Sequence, residues 1–232
     1  MCNIKIPLFQ RFSSVLGVVL PKKDLLKFLG KQGWFQQFLC QEMSQRASCD
    51  FTARSNDVFG KFFASTFIAL LYFVQEIDNA LVANILPCMG KCLKSPEAEH
   101  RLIAYAVIAS LNQQTRIKDT THKVLISVIG EAVAKFSDKN GVKALAVILT
   151  AQDRKKFPEE FFKLLAKEGF AKMLVGTLKG SKLNDFLLTL MKNFVDALIL
   201  EENPDTSLVE KTMKEIVKEI SMDDSTKRNV VR

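Results

Sequence analysis

Glycine and proline are scarce in this 232-residue chain, with 10 and 6 copies, and most of the prolines stand where helices should begin. So few breakers exclude a loop-rich or hairpin-rich β architecture and favour an all-α protein. Histidine is rarer still. His100 and His122 each fall in the first turn of a predicted helix, with no acid placed to orient them, so surface positions are expected for both. Glycine-rich phosphate loops and Gly-Xaa-Gly fingerprints are missing. The five cysteines, Cys2, Cys40, Cys49, Cys88 and Cys92, are odd in number and have no framework spacing. Cys88 and Cys92 lie one helical turn apart, but no second Cys or His pair follows at zinc spacing, so both read as small apolar residues at a helix interface. The opening MCNIKIPLFQRF lacks the continuous apolar core of a secretory leader, and a reducing intracellular compartment is the simplest expectation. Long hydrophobic runs are lacking too. FFASTFIALLYFVQ, residues 62–75, is shorter than the roughly 20 residues that cross a bilayer and is bracketed by Lys61 and Glu76. A helix apolar nearly all round is expected to lie buried in a helical protein. These absences leave no recognisable site for catalysis, a metal, a cofactor or a small-molecule substrate, and no membrane span.

What is present is helical pattern. Hydrophobic residues make up 48% of the chain and charged residues 25%, ordinary values for a folded protein with a substantial core. Helices are predicted from Pro21 to Gly33, from Trp34 to Arg46, from about Ser55 to Ile77, and from Asp78 to about Lys94. In the second of these, Trp34, Phe35, Phe38 and Leu39 are expected on one buried face. The segment 83–113, ANILPCMGKCLKSPEAEHRLIAYAVIASLNQ, reads as two helices joined by a proline-marked turn. Leu86, Leu93, Leu102, Ala106, Ile108 and Leu111 supply apolar positions at helical spacing. Ser95 is expected to cap the second helix with Pro96 in its first turn, and Pro87 is expected to kink the first helix near Ala83. Downstream, caps or turns at 119–120, 137–141, 158–160, 169, 180, 184–185 and 203–205 divide the chain into further helices as far as Met222.

The order Leu86-Pro87, Leu93, Pro96, Arg101, Ala104 and Ile108 resembles the helical-hairpin repeat called HEAT. One such unit cannot bury its apolar face alone, which implies neighbours. Leu86 and Leu125 mark successive first helices about 40 residues apart, a spacing typical of such repeats. Lys143 and Ala146 loosely answer Arg101 and Ala104. The expected architecture is an all-α solenoid of stacked HEAT-like hairpins over residues 21–222. It follows an N-terminal segment, 1–20, with the look of a helix cut from something upstream, and precedes a frayed polar tail, 223–232.

The formal net charge is +8, almost all of it from lysine. Lys22, Lys23, Lys27 and Lys31 lie near one face of a short helix, and Arg154, Lys155 and Lys156 fill an inter-repeat loop. Lys163, Lys167 and Lys172 are candidates to extend that surface. Phosphate contact needs only charge within reach, so Lys22, Lys23, Lys27, Lys31, Arg154, Lys155 and Lys156 form the candidate surface for an anionic partner. The competing reading is a set of solubilising lysines on helix backs, because the phenylalanines follow core periodicity and leave no exposed aromatic platform.

Taken together, VLPKKDLLKFLGKQGWFQQFLCQ, FFASTFIALLYFVQEI, NILPCMGKCLKSPEAEHRLIAYAVIASL, VLISVIGEAVAKF and KALAVILTAQ are similar to the N-terminal region of a family of very large HEAT-repeat proteins of the small-subunit processome. These are small nucleolar RNA-associated scaffolds, called HEAT repeat-containing protein 1 in animals. The resemblance runs from about Val19 to Gln152. It implies a non-enzymatic scaffold of the nucleus and nucleolus in ribosome biogenesis, working beside β-propeller subunits of the processome. Such a scaffold joins pre-rRNA transcription to early small-subunit rRNA processing, and its contact with pre-rRNA or small nucleolar RNA is indirect. The alternative class is a transport or adaptor solenoid holding a peptide or acidic partner in its concave groove. That reading asks for a row of Asn, Trp or acidic residues on second helices, where only Trp34 and an isolated Asn112 are found.

Overall fold

The computed structural model describes residues 22–48, 54–73, 79–115, 117–151, 156–181, 183–199 and 206–220. The expectations for segments 1–20 and 223–232 lie outside these residues. Among the described residues every regular element is a helix. In chain order these are α1 (Lys22–Gly30), α2 (Gly33–Ser48), α3 (Arg54–Phe73), α4 (Asn79–Lys94), α5 (Ala98–Gln114), α6 (Asp119–Phe136), α7 (Lys139–Thr150), α8 (Glu159–Leu165), α9 (Phe170–Lys179), α10 (Asn184–Ile199) and α11 (Thr206–Glu219). The fold is all-α and of α-solenoid class, as the sequence implies. The chain divides into two compact units, residues 1–115 and 116–232.

In the first unit the helices form two rows. α2 packs on α4 in one row, while α1 packs on α3 and α3 on α5 in the other; α1–α2, α2–α3 and α4–α5 join the rows. The run expected to be buried lies in α3, where Phe63, Phe67, Leu70 and Leu71 are essentially inaccessible to solvent. The Phe63 and Phe67 rings sit 4.6 Å apart. Leu29, Phe35 and Phe62 pack against Ala69 and Leu70, which ties α1 and α2 to α3. No helix is long and apolar enough to cross a membrane among the described residues. α4 runs unbroken through Pro87, which stands on its exposed side.

Three apolar expectations change here. The buried face of α2 is Gln36, Leu39, Cys40, Met43 and Ala47, whereas Trp34 is 64% and Phe38 51% exposed. Apolar residues are spread almost evenly around this helix, so packing against α3 and α4, not local pattern, selects the buried side. Leu86 is half-buried, and its neighbours Ile85 and Met89 are the fully enclosed residues of α4. Leu102 faces solvent at 49% exposure, while Ala104, Val107, Ile108 and Leu111 carry the core face of α5.

The second unit is built on α6–α7, with α8 packed on α6, α10 on α7, and α11 on α10 and α8. α9 is in contact with α6, α7, α8 and α11. A phenylalanine cluster fills its centre. The Phe157 ring lies 5.0 Å from Phe161, edge to face, and 6.1 Å from Phe186, stacked. Phe161 meets Phe170 at 6.2 Å, edge to face, an arrangement that suits aromatic quadrupoles. α6 and α8 cross closely because Gly130 has no side chain: an added Cβ would fall within 2.8 Å of Leu164 Cγ and closer to its methyl groups. Gly169 adopts φ +80°, the left-handed conformation that separates α8 from α9 where the sequence places a break. Val124 and Val217 point to solvent, while Ile126 and Ile216 are fully buried.

Candidate functional site

The turn between α4 and α5 gathers several side-chain hydrogen bonds in one place. Glu97, not Ser95, occupies the N-cap position, and Pro96 precedes the helix instead of entering its first turn. The Ser95 side chain instead serves the turn itself. Its Oγ accepts from the Glu97 N–H at 3.3 Å and lies 3.0 Å from His100 Nδ1, to which it can give its proton. Arg101 reaches back and donates through one guanidinium nitrogen to the carbonyls of Ser95 at 2.9 Å and Pro96 at 2.7 Å. Arg101 is buried, so these bonds satisfy guanidinium donors that are held away from water. Leu93, Ala104 and Ile108 pack fully buried around the clamp, while Pro87 and Pro96 are exposed.

Both histidines are buried, contrary to the surface expectation, at 4% exposure for His100 and 3% for His122. Each completes a backbone or turn hydrogen bond. His122 Nε2 donates to the Ile148 carbonyl at 3.2 Å, linking α6 to α7. His100 is held below the ordinary histidine value by burial, against the opposing pull of Glu97 and Glu99. The sequence signal missed here is position: an early turn next to a tight connection faces the partner helix as readily as it faces water. Asn193 does similar work in the second unit, accepting from the Phe157 N–H at 2.7 Å and donating to the Thr189 carbonyl at 2.9 Å.

Cys88 and Cys92 lie at the α2–α4 interface together with Cys40 of α2, all three buried and free. Cys88 receives hydrogen bonds from Cys40 and Cys92; those bonds first, and burial second, hold the Cys40 and Cys92 thiols above the ordinary value. No group of three or more His, Cys, Asp or Glu residues suited to a metal ion occurs among the described residues.

The candidate cations fall in both units. Lys27 is half-buried on α1 and Lys31 exposed in the α1–α2 turn; Lys22 and Lys23 begin α1, and their side chains lie outside the description. Lys156 is exposed just before Phe157, and Arg154 and Lys155 lie outside the described residues. Lysines in the second unit are partly neutralised. Lys163 pairs with Glu159 at 2.8 Å, Lys167 with Glu131 at 3.2 Å and Lys179 with Glu219 at 2.8 Å. The excess charge is even, with twelve Lys and Arg against eight Asp and Glu in residues 1–115 and twenty-one against seventeen in residues 116–232. Beside Lys27 and Lys31, however, stand three exposed aromatics, Phe28, Trp34 and Phe38, so the expectation of no exposed aromatic surface fails. Asn112, proposed for a peptide groove, is fully buried.

Residues 81–194, which span the clamped hairpin and most of the second unit, match the family model described as U3 small nucleolar RNA-associated protein 10. That segment is similar to this family. Human HEAT repeat-containing protein 1 is 26% identical over 153 residues, 61% of this chain and 7% of the human protein. The HEAT repeat-containing protein 1 homolog of Dictyostelium discoideum is 20% identical over 205 residues, 86% of this chain and 9% of its own length. The chain thus spans less than a tenth of the curated relatives it matches.

Proposed function

We propose that this chain is a segment of a non-enzymatic HEAT-repeat scaffold of ribosome biogenesis, acting in the nucleolus. The family match over residues 81–194 carries the reading, because it falls on the hairpin whose turn Arg101 clamps and on the helices that follow it. The described polar groups favour the same view: the buried histidines, Arg101 and Asn193 are engaged in holding turns and helices together. On this reading the scaffold links pre-rRNA transcription to early small-subunit processing through protein contacts, its partners including β-propeller subunits of the processome. The set Lys22, Lys23, Lys27, Lys31, Arg154, Lys155 and Lys156 supplies an auxiliary surface for acidic protein faces or RNA phosphates. Burial of Asn112 weighs against the groove-binding carrier.

Affinity purification of the tagged chain from nuclease-treated nuclear extract, read by mass spectrometry, tests this. Recovery of β-propeller processome subunits without RNA supports protein-mediated scaffolding. Recovery of transport receptors or cargo peptides in their place overturns it.

A further inference from the structure

Sulfur is concentrated on the two helices that form one row of the first unit. Cys40 and Met43 lie on the buried side of α2, and Cys88, Met89 and Cys92 are buried on α4; none of the five is more than 6% exposed. α2 and α4 pack directly on one another, and the three cysteines are free thiols. Cys88 is the centre of the group. The Cys40 thiol donates to it from the other helix, and the Cys92 thiol from one turn further along α4. Those bonds, with smaller help from the Ser44 hydroxyl and the Lys91 charge, hold the Cys88 thiol below its ordinary value although burial opposes them. A thiol buried among hydrocarbon alone is inert, whereas one that receives several hydrogen bonds has its thiolate form stabilised. Geometry selects its partner. Cys92 is four residues on in an unbroken helix, where Cβ atoms stand about 5–6 Å apart, wider than the roughly 3.5–4.5 Å that a disulfide spans. Cys40 belongs to a separate helix and is free of that constraint.

We propose that Cys40 and Cys88 are a reversible redox pair, which hydrogen peroxide joins into a disulfide bridging α2 and α4. Local opening of the interface admits the oxidant. Cys88 gives up its proton, and its sulfur attacks one peroxide oxygen. The O–O bond breaks, leaving a sulfenic acid on Cys88 and a hydroxide that takes up the released proton to become water. The Cys40 sulfur then attacks the Cys88 sulfur. The S–S bond forms, the S–O bond breaks, and the departing hydroxide leaves with the Cys40 proton as a second water. The thiol pair loses two electrons and peroxide gains two; a thiol reductant reverses the change. The bridge closes residues 41–87 into a loop, which restricts the unfolded chain and holds α2 against α4. The inference goes beyond the scaffold reading and does not depend on it, since it concerns how the helix stack is locked and not what it binds.

Trypsin separates the three thiols, because cleavage after Lys31, Arg46, Lys61, Lys91 and Lys94 puts Cys40 in peptide 32–46, Cys88 in 62–91 and Cys92 in 92–94. The folded chain is treated with hydrogen peroxide, its remaining thiols are blocked, and the unreduced digest is read by mass spectrometry. Peptides 32–46 and 62–91 should appear joined, two hydrogens lighter than their sum, with the blocking group on Cys92. The treated chain should melt several degrees higher, and dithiothreitol should restore both thiols and the original melt. In guanidinium the same treatment should scatter the pairing among all five cysteines. Cys92→Ala should keep the cross-link and Cys40→Ala should lose it; should either variant fail to fold, the peptide map of the unaltered chain decides. A bridge that uses Cys92, links between chains, sulfinic acid on Cys88 without a link, or cluster thiols that stay free would each overturn the proposal.

Discussion

The two units solve the same packing problem with different chemistry. Residues 1–115 join α4 to α5 through a buried polar clamp, Arg101 with Ser95 and His100, and line the α2–α4 interface with thiols and Met43. Residues 116–232 concentrate six phenylalanines, 157, 161, 162, 170, 186 and 194, and bridge helices at the surface with Lys123–Glu160, Lys167–Glu131 and Lys179–Glu219. A clamp fixes the angle of one hairpin; an aromatic cluster lets several short helices converge. The short α8, seven residues long, depends on the second device because a helix of two turns is marginal without tertiary packing.

Breaking each device separately should expose the difference. Phe161 is fully buried and touches three other rings, so Phe161→Ala should cost about 3–5 kcal/mol by chemical denaturation and loosen α8 and α9 together. Arg101→Ala removes a charged donor from two carbonyls and should cost about 2–3 kcal/mol while keeping helix content. Leu86→Asp, at a half-buried position, should do less damage than Ile85→Asp, which strands a charge in the core. The reverse order in a thermal melt would mean that Leu86, not Ile85, is the enclosed residue of α4.

The glycines sharpen the contrast. Gly130→Ala should destabilise by about 1–3 kcal/mol, since Leu164 is enclosed and cannot yield. At Gly60 an added Cβ would meet Ile103 Cδ1 at 2.7 Å, the end of a half-buried side chain able to swing, and the gain of about 1 kcal/mol in helix propensity offsets the cost. Gly60→Ala should therefore be near neutral. His100 gives the clamp a pH dependence. Its folded value is depressed, so the unfolded chain takes up the proton first, and stability should fall as pH drops below about 6.5. His100→Gln should flatten that part of the profile. Smallest of all, Lys167→Met should change stability by no more than about 0.5 kcal/mol, because both partners of the Glu131 pair are solvated. A larger loss would show that ion pairs carry the second unit.

Much of this was legible beforehand, and the failures are instructive. The helices of the 83–113 hairpin, the break at Gly169 and the burial of α3 follow from local pattern. The misreadings cluster where pattern is ambiguous. α2 spreads its apolar residues almost evenly around its axis, so Trp34 and Phe38 could not be separated from Leu39 and Met43 by spacing. His100 and His122 sit in first turns, and whether such a position meets water depends on the helix across the turn. Leu86 and Ile85 are adjacent in sequence, and a small rotation of α4 decides which one is enclosed.

Helix content, the turns and the hairpin unit were determined by the sequence alone, because breaker placement and the 3.6-residue period act over a few residues. Which face of each helix is buried, which polar residues are clamped between carbonyls, and which aromatics remain on the surface were decided only by the tertiary structure. Those outcomes depend on neighbours distant in sequence, and the free energy of burial is set by the finished interface, not by the residue that enters it.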